Sequence, residues 1–165
     1  MHYMDHTSKN KMVDVNCLDY STDSTSCTSS DCSSVCEIDY EEQQFHEALT
    51  IARRKLGADH PQVCDIVFGL AAMHKSRCNY EESLSYFGEG LDIIRKHNGE
   101  SHVSVAGVLV NIANVHRQSG ALEEALVNFE EALKVFECVG VSKKDRNVAR
   151  IVRIMKRVRA DIVQK

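Results

Sequence analysis

"YEESLSYFGEGL" at residues 80–91 returns in outline as "LEEALVNFEEAL" at residues 122–133. The separation, 122 − 80 = 42 residues, is too long for a helical heptad and suits one helix–turn–helix unit. The same offset pairs Gly57 with Gly99, His60 with His102, Val63 with Val105 and Leu70 with Ile112. It also pairs Ala71 with Ala113, His74 with His116 and Leu91 with Leu133. One period back from Phe87 and Gly90 stand Phe45 and Ala48; one period on from Leu109 and Ile112 stand Ile151 and Ile154. Coincidence at so many apolar and small positions marks an array of helix pairs.

The helices can be placed from apolar spacing and punctuation. Phe45, Ala48, Leu49 and Ala52 give the face of a helix over about 39–56. "GADHP" closes it, and Pro61 opens the next, where no amide donor is needed. Asn79 followed by Glu82 predicts a capped start for a helix over 80–97. Gly99 and Gly120 bound further helices over 102–119 and 122–139, and a last one spans 144–163. The arrangement is therefore all-α. It comprises a half repeat (38–56), two full repeats (61–98 and 102–139) and a basic closing helix within 141–165.

The first 37 residues have no sustained apolar period. Ten of the fourteen residues in "STDSTSCTSSDCSS" (21–34) are Ser or Thr, which leaves too little apolar surface to offset the entropy of ordering. A disordered tail is expected. No stretch reaches the roughly 18–20 apolar residues of a membrane span, and the N-terminal residues lack a secretory pattern. A cytoplasmic protein is expected, with its seven cysteines held as thiols. Charge is uneven: −4 over residues 1–37, −7 over 38–140 and +7 over 141–165.

Within the repeats a large apolar residue is followed by Leu-small, and then by small, Phe and small in the second helix. It reads Val67, Leu70-Ala71, Ser83, Phe87, Gly90, and again Leu109, Ile112-Ala113, Ala125, Phe129, Ala132. This resembles a tetratricopeptide repeat, and the 42-residue spacing with "LGADHPQV" resembles the kinesin light chain-like subclass. The resemblance covers about residues 40–155 and implies a short right-handed superhelical solenoid. Kinesin light chains carry a heptad coiled coil ahead of their repeats and more repeats than this chain; residues 1–37 show no heptad. Met155, standing where Ala71 and Ala113 stand, suits a helix that closes the array.

By the same resemblance, the first helix of each pair lines a concave groove that receives a peptide or helix of a partner protein. Groove positions are then Asp65, Phe68, Ala72, Lys75 and Ser76, and Asn111, Asn114, Arg117 and Gln118. Asn side chains both donate to and accept from an extended backbone, and Lys75 with Arg117 would meet an acidic motif. The bland alternative is a solvated face.

No phosphate loop, nucleophile–base set or carboxylate pair suggests catalysis, and no cofactor is implied. Histidines repeated at 42 residues would stand about 10 Å apart, too far to share a metal, so packing or capping roles are expected. Cys17, Cys27, Cys32 and Cys36 lack the paired spacing of a zinc site, though a metal or redox tail stands as a third reading. Ser30 and Ser34 have the acidic context of kinase sites. The stretch "RNVARIVRIMKRVRADIVQK" is a basic amphipathic helix, suited to a calmodulin-like partner or an anionic membrane. Its apolar residues fall in repeat register, so packing against the preceding pair is favoured. Nothing in the helix reads nucleic-acid bases. An open end near Phe45 is a site for self-association.

Overall fold

A computed structural model describes residues 32–164, with side chains from residue 40 onward. Most of the Ser/Thr-rich segment, with Cys17, Cys27 and Ser30, lies outside these residues; Cys32, Ser34 and Cys36 fall in the first turns of a helix whose side chains there are not described. Six helices and no strand make up the described residues. They are α1 (Cys32–Leu56), α2 (Pro61–Ser76), α3 (Tyr80–Asn98), α4 (Val103–Ser119), α5 (Leu122–Cys138) and α6 (Arg146–Val163). Each packs on its neighbours in the chain, so α2/α3 and α4/α5 form antiparallel pairs stacked in series between α1 and α6.

Local chemistry sets the boundaries. α1 opens at Cys32, ahead of the expected Asp39, because Val35 and Ile38 extend the apolar spacing of Phe45 and Leu49 backward. His60 and His102 are N-caps: each Nδ1 accepts from a backbone amide two residues on, Gln62 and Ser104, both at 3.2 Å. This repeating pair of histidines is therefore structural, at helix starts. Asn79, expected to cap α3, makes no side-chain cap bond. α6 begins at Arg146 rather than 144 because Asp145 caps it, accepting from Asn147 at 2.8 Å and Val148 at 3.4 Å. Gly120 ends α4 in the left-handed conformation, φ 86°. Its counterpart one repeat earlier is Cys78, at φ 62°, a geometry that L side chains resist.

Two apolar clusters form the core. One gathers Leu49, Val63, Val67, Leu70 and Ile93; the other is centred on Val105, Leu109, Ala113, Phe129 and Ile151. Phe68, Tyr86 and Ile94 pack against both and join them. Each large aliphatic or aromatic side chain so buried contributes about 1.5–3 kcal/mol. Most of that contact lies between neighbouring elements, as expected of a stacked array. α6 belongs to this core: Val148, Ile151, Met155 and Val158 are buried.

The second helices carry a periodic ion-pair ladder. Arg53 of α1 pairs with Glu89 of α3, and Arg95 of α3 with Glu131 of α5 at 3.0 Å. Both pairs span 36 residues and are related by one repeat. Near the start of the described side chains, Glu42 binds Arg77 and approaches Nε2 of buried His74 at 3.5 Å. The His74 ring stacks on Tyr86, 5.4 Å between centroids.

Candidate protein-interaction groove

α2, α4 and α6 occupy equivalent places in successive repeats, and their open faces coincide. On α2 the exposed residues run Gln62, Asp65, Ala72 and Ser76. On α4 their counterparts Ser104 and Gly107 are half-buried and Gln118 is exposed, Asn114 is buried, and Asn111, at the Gly69 register, is half-buried. On α6 they are Arg146, Ala149, Arg153, Lys156 and Ala160, all exposed. Spacings of three and four residues keep each set on one side of its helix. A Cβ built on Gly107 would meet nothing within 4 Å, so this stretch of α4 faces open space.

The expected groove residues divide on this frame. Asp65, Arg117 and Gln118 are exposed; Lys75 and Asn111 are half-buried. Asn111 takes the place of Gly69, where a Cβ would stand 2.6 Å from Cε1 of Phe45, so this register borders the preceding second helix. Phe68 is half-buried and Asn114 is buried. The Phe68 ring is packed over Gly90 and lies 6.0 Å from the Phe87 ring. Asn114 is 1% exposed; its Nδ2 donates to the Val110 carbonyl at 2.9 Å and its Oδ1 has no protein partner. α4 is covered on more sides than α2, whose Ala72 at the same register is exposed.

The exposed face of α6 was not among the expected groove positions. Arg146, Arg153 and Lys156 extend the open face with positive charge, whereas α2 places Asp65 there. The signal was present: Arg153 and Lys156 lie 42 residues after Asn111 and Asn114. Of the titratable groups, Tyr86 is held above its usual range, first by burial and then by Glu42 and Glu89. The Cys64 thiol is pushed up to about 12, mainly by burial, with Asp65 and Glu89 adding to it. Neither group is poised for chemistry near neutral pH. Among the described residues no set of three His, Cys, Asp or Glu side chains gathers as a metal site.

Tetratricopeptide repeat models match residues 66–137 and 41–62. Comparison with curated proteins finds no match. A crystal structure described as BtubC (BKLC) from P. vanneervenii is similar in fold, with 21% sequence identity and a TM-score of 0.55. The alignment covers 78% of this chain and 59% of that one, so the chain spans about three-fifths of that structure's length. The chain is a tetratricopeptide repeat protein, with repeats of 42 residues. Such repeats generally mediate protein–protein interaction and are typically non-catalytic. No helix among the described residues is long and apolar enough to cross a membrane.

Proposed function

We propose that the chain is a non-catalytic, cytoplasmic interaction module that holds an extended segment of a partner protein across the open faces of α2, α4 and α6. The observation that carries this reading is the recurrence of small and polar residues along three successive first helices, exposed on α2 and α6 and partly exposed on α4. Small residues at Gly107, Ala149 and Ala160 leave room for a backbone, while Asn111 and Gln118 offer both donors and acceptors. Arg146, Arg153 and Lys156 favour acidic side chains at the α6 end; Asp65 disfavours them at the α2 end. Lys75 and Arg117 flank the stripe and add to its preference for an acidic segment.

A free-standing role for the basic helix, on a calmodulin-like protein or an anionic membrane, has less support. Val148, Ile151, Met155 and Val158 are already buried within the chain, so either partner would first have to undock α6. The test is selection from a displayed peptide library with the full chain. Acidic extended peptides should be enriched, and their capture should weaken at least tenfold in Asn111→Ala/Gln118→Ala/Arg153→Ala. Capture unaltered by the triple substitution refutes the groove. Capture lost only when the apolar face of α6 is changed favours the alternative.

A further inference from the structure

The cleft between α5 and α6 has the form of a vacant helix seat. It encloses about 350 Å³, with Glu130, Leu133, Val152, Met155 and Arg159 among its walls. Two repeats earlier, Met155, Val152 and Glu130 correspond to Ala71, Phe68 and His46. All three meet α3. The Ala71 carbonyl accepts from Ser83 Oγ at 2.8 Å, Phe68 lies over Gly90, and the His46 ring stands 6.4 Å from that of Tyr86. The cleft is thus where the second helix of a further pair would lie. Among the described residues none fills it, and Val152 is 38% exposed where Val110, at the same register of α4, is buried.

The opposite end presents the converse. α1 corresponds to α3 and α5, yet among the described residues it has no first helix of its own. Ser83 and Gly90 are buried, whereas their counterparts Glu41 and Ala48 are exposed. Among the described residues, one end presents a second-helix face and the other a place for one.

We propose that α1 of a second copy seats in the α5/α6 cleft, so that copies associate head to tail. Charge supports this occupant. Antiparallel pairing sets the C-terminal half of α6 beside the N-terminal half of α1. Residues 32–47 of α1 carry five acidic side chains and no Lys or Arg, while α6 carries six basic side chains and one acidic. In the register of the internal repeats the second copy's Glu41 falls beside Met155, close to Lys156 and Arg159, and its Ala48 beside Val152. Two features keep the contact weak. Met155 and Glu41 are larger than the Ala71 and Ser83 they replace, so the helices sit farther apart. Glu137, at the ladder position of Arg53 and Arg95, would face the second copy's Glu47, a like charge. Because the joined surfaces differ, the contact builds open chains or a ring rather than a two-fold dimer.

Sedimentation velocity of the full chain tests this, with circular dichroism confirming that each variant keeps its helix content. The mean mass should rise with concentration and fall with added salt. Glu137→Arg, which restores the ladder, should tighten association roughly fivefold. Val152→Glu blocks the cleft and Ala48→Arg blocks α1, so each alone should stay monomeric. Mixed together they should form a one-to-one dimer that does not grow. The proposal is overturned if wild type and Glu137→Arg both remain monomeric at every concentration, or if the two blocked variants fail to pair. Association untouched by Ala48→Arg would mean a symmetric contact through α6, which also overturns it.

Discussion

The two full repeats solve one packing problem with different side chains, and the difference can be tested by exchange. In the first repeat Phe68 on α2 faces Gly90 on α3; one repeat later the residues are Val110 and Ala132, both buried. A Cβ placed on Gly90 would lie 2.8 Å from Cζ and 2.9 Å from Cδ1 of Phe68, closer than carbon atoms pack. Gly90→Ala therefore meets two opposed effects. Replacing glycine inside a helix gains about 1 kcal/mol, while overpacking costs about 1–3 kcal/mol. A net loss near 1 kcal/mol is expected. Phe68→Val removes ring contacts that join the two core clusters and should cost about 2 kcal/mol, less than the 3–5 kcal/mol typical of Phe→Ala.

Were the sites independent, the double variant would lose about 3 kcal/mol by adding the two costs. Val at 68 instead clears the space that Ala at 90 needs, and the helix gain is then realised. The double variant should lose only about 1 kcal/mol, a coupling of roughly 2 kcal/mol. Urea unfolding followed by circular dichroism measures all four corners of the cycle. Additivity to within about 0.5 kcal/mol would refute the claim that the pair is matched by volume.

Other substitutions probe single features. Cys78→Gly should raise stability by about 1 kcal/mol, since a left-handed residue other than glycine carries a cost of that order; a loss on thermal unfolding would count against it. Asn114→Leu, which removes the unpartnered buried Oδ1, should be neutral or stabilising by up to about 2 kcal/mol, and peptide capture should be unchanged; weakened capture would return Asn114 to the groove. The thiol of Cys64, raised to about 12 by burial, keeps its proton longer in the folded chain than in the unfolded one. It should resist thiol reagents at pH 8 while exposed Cys78 and Cys138 react. Its contribution to stability should fade as pH climbs from about 9 toward 12, which a Cys64→Ala comparison of unfolding against pH would reveal.

The fold could be read from the chain because repetition multiplies weak signals. A single small residue such as Ala71 says little, but its recurrence with Leu70 and Phe87 one period later fixes both helix faces and their pairing. Boundaries were legible where one residue type decides them, as at Pro61 and Gly120, and less so at Asp145, a cap that moves the start of α6 two residues beyond the expected one. The groove was harder. Exposure depends on what lies across from a residue, and the 42-residue period says only that Ala72 and Asn114 share a register. Ala72 is open and Asn114 is covered, a difference of neighbours that single-chain patterning cannot supply. The packing of Phe68 over Gly90 was hidden likewise, because a glycine shows nothing of its own in an apolar pattern.

α6 shows how one helix can serve two ends at once. Its apolar stripe, Val148, Ile151, Met155 and Val158, places it in the array as another first helix. Burying that stripe fixes the rotation of the helix, and the rotation decides which basic residues reach the open face. Arg146 and Arg153 fall in register with Ser104 and Asn111 of α4, while Val152, Lys156 and Arg159 line the cleft beside α5. The net charge of +7 over residues 141–165 is therefore not a diffuse basic tail. Packing divides four of its basic residues between two surfaces: Arg146 and Arg153 along the face proposed to bind a peptide, and Lys156 and Arg159 at the cleft beside α5.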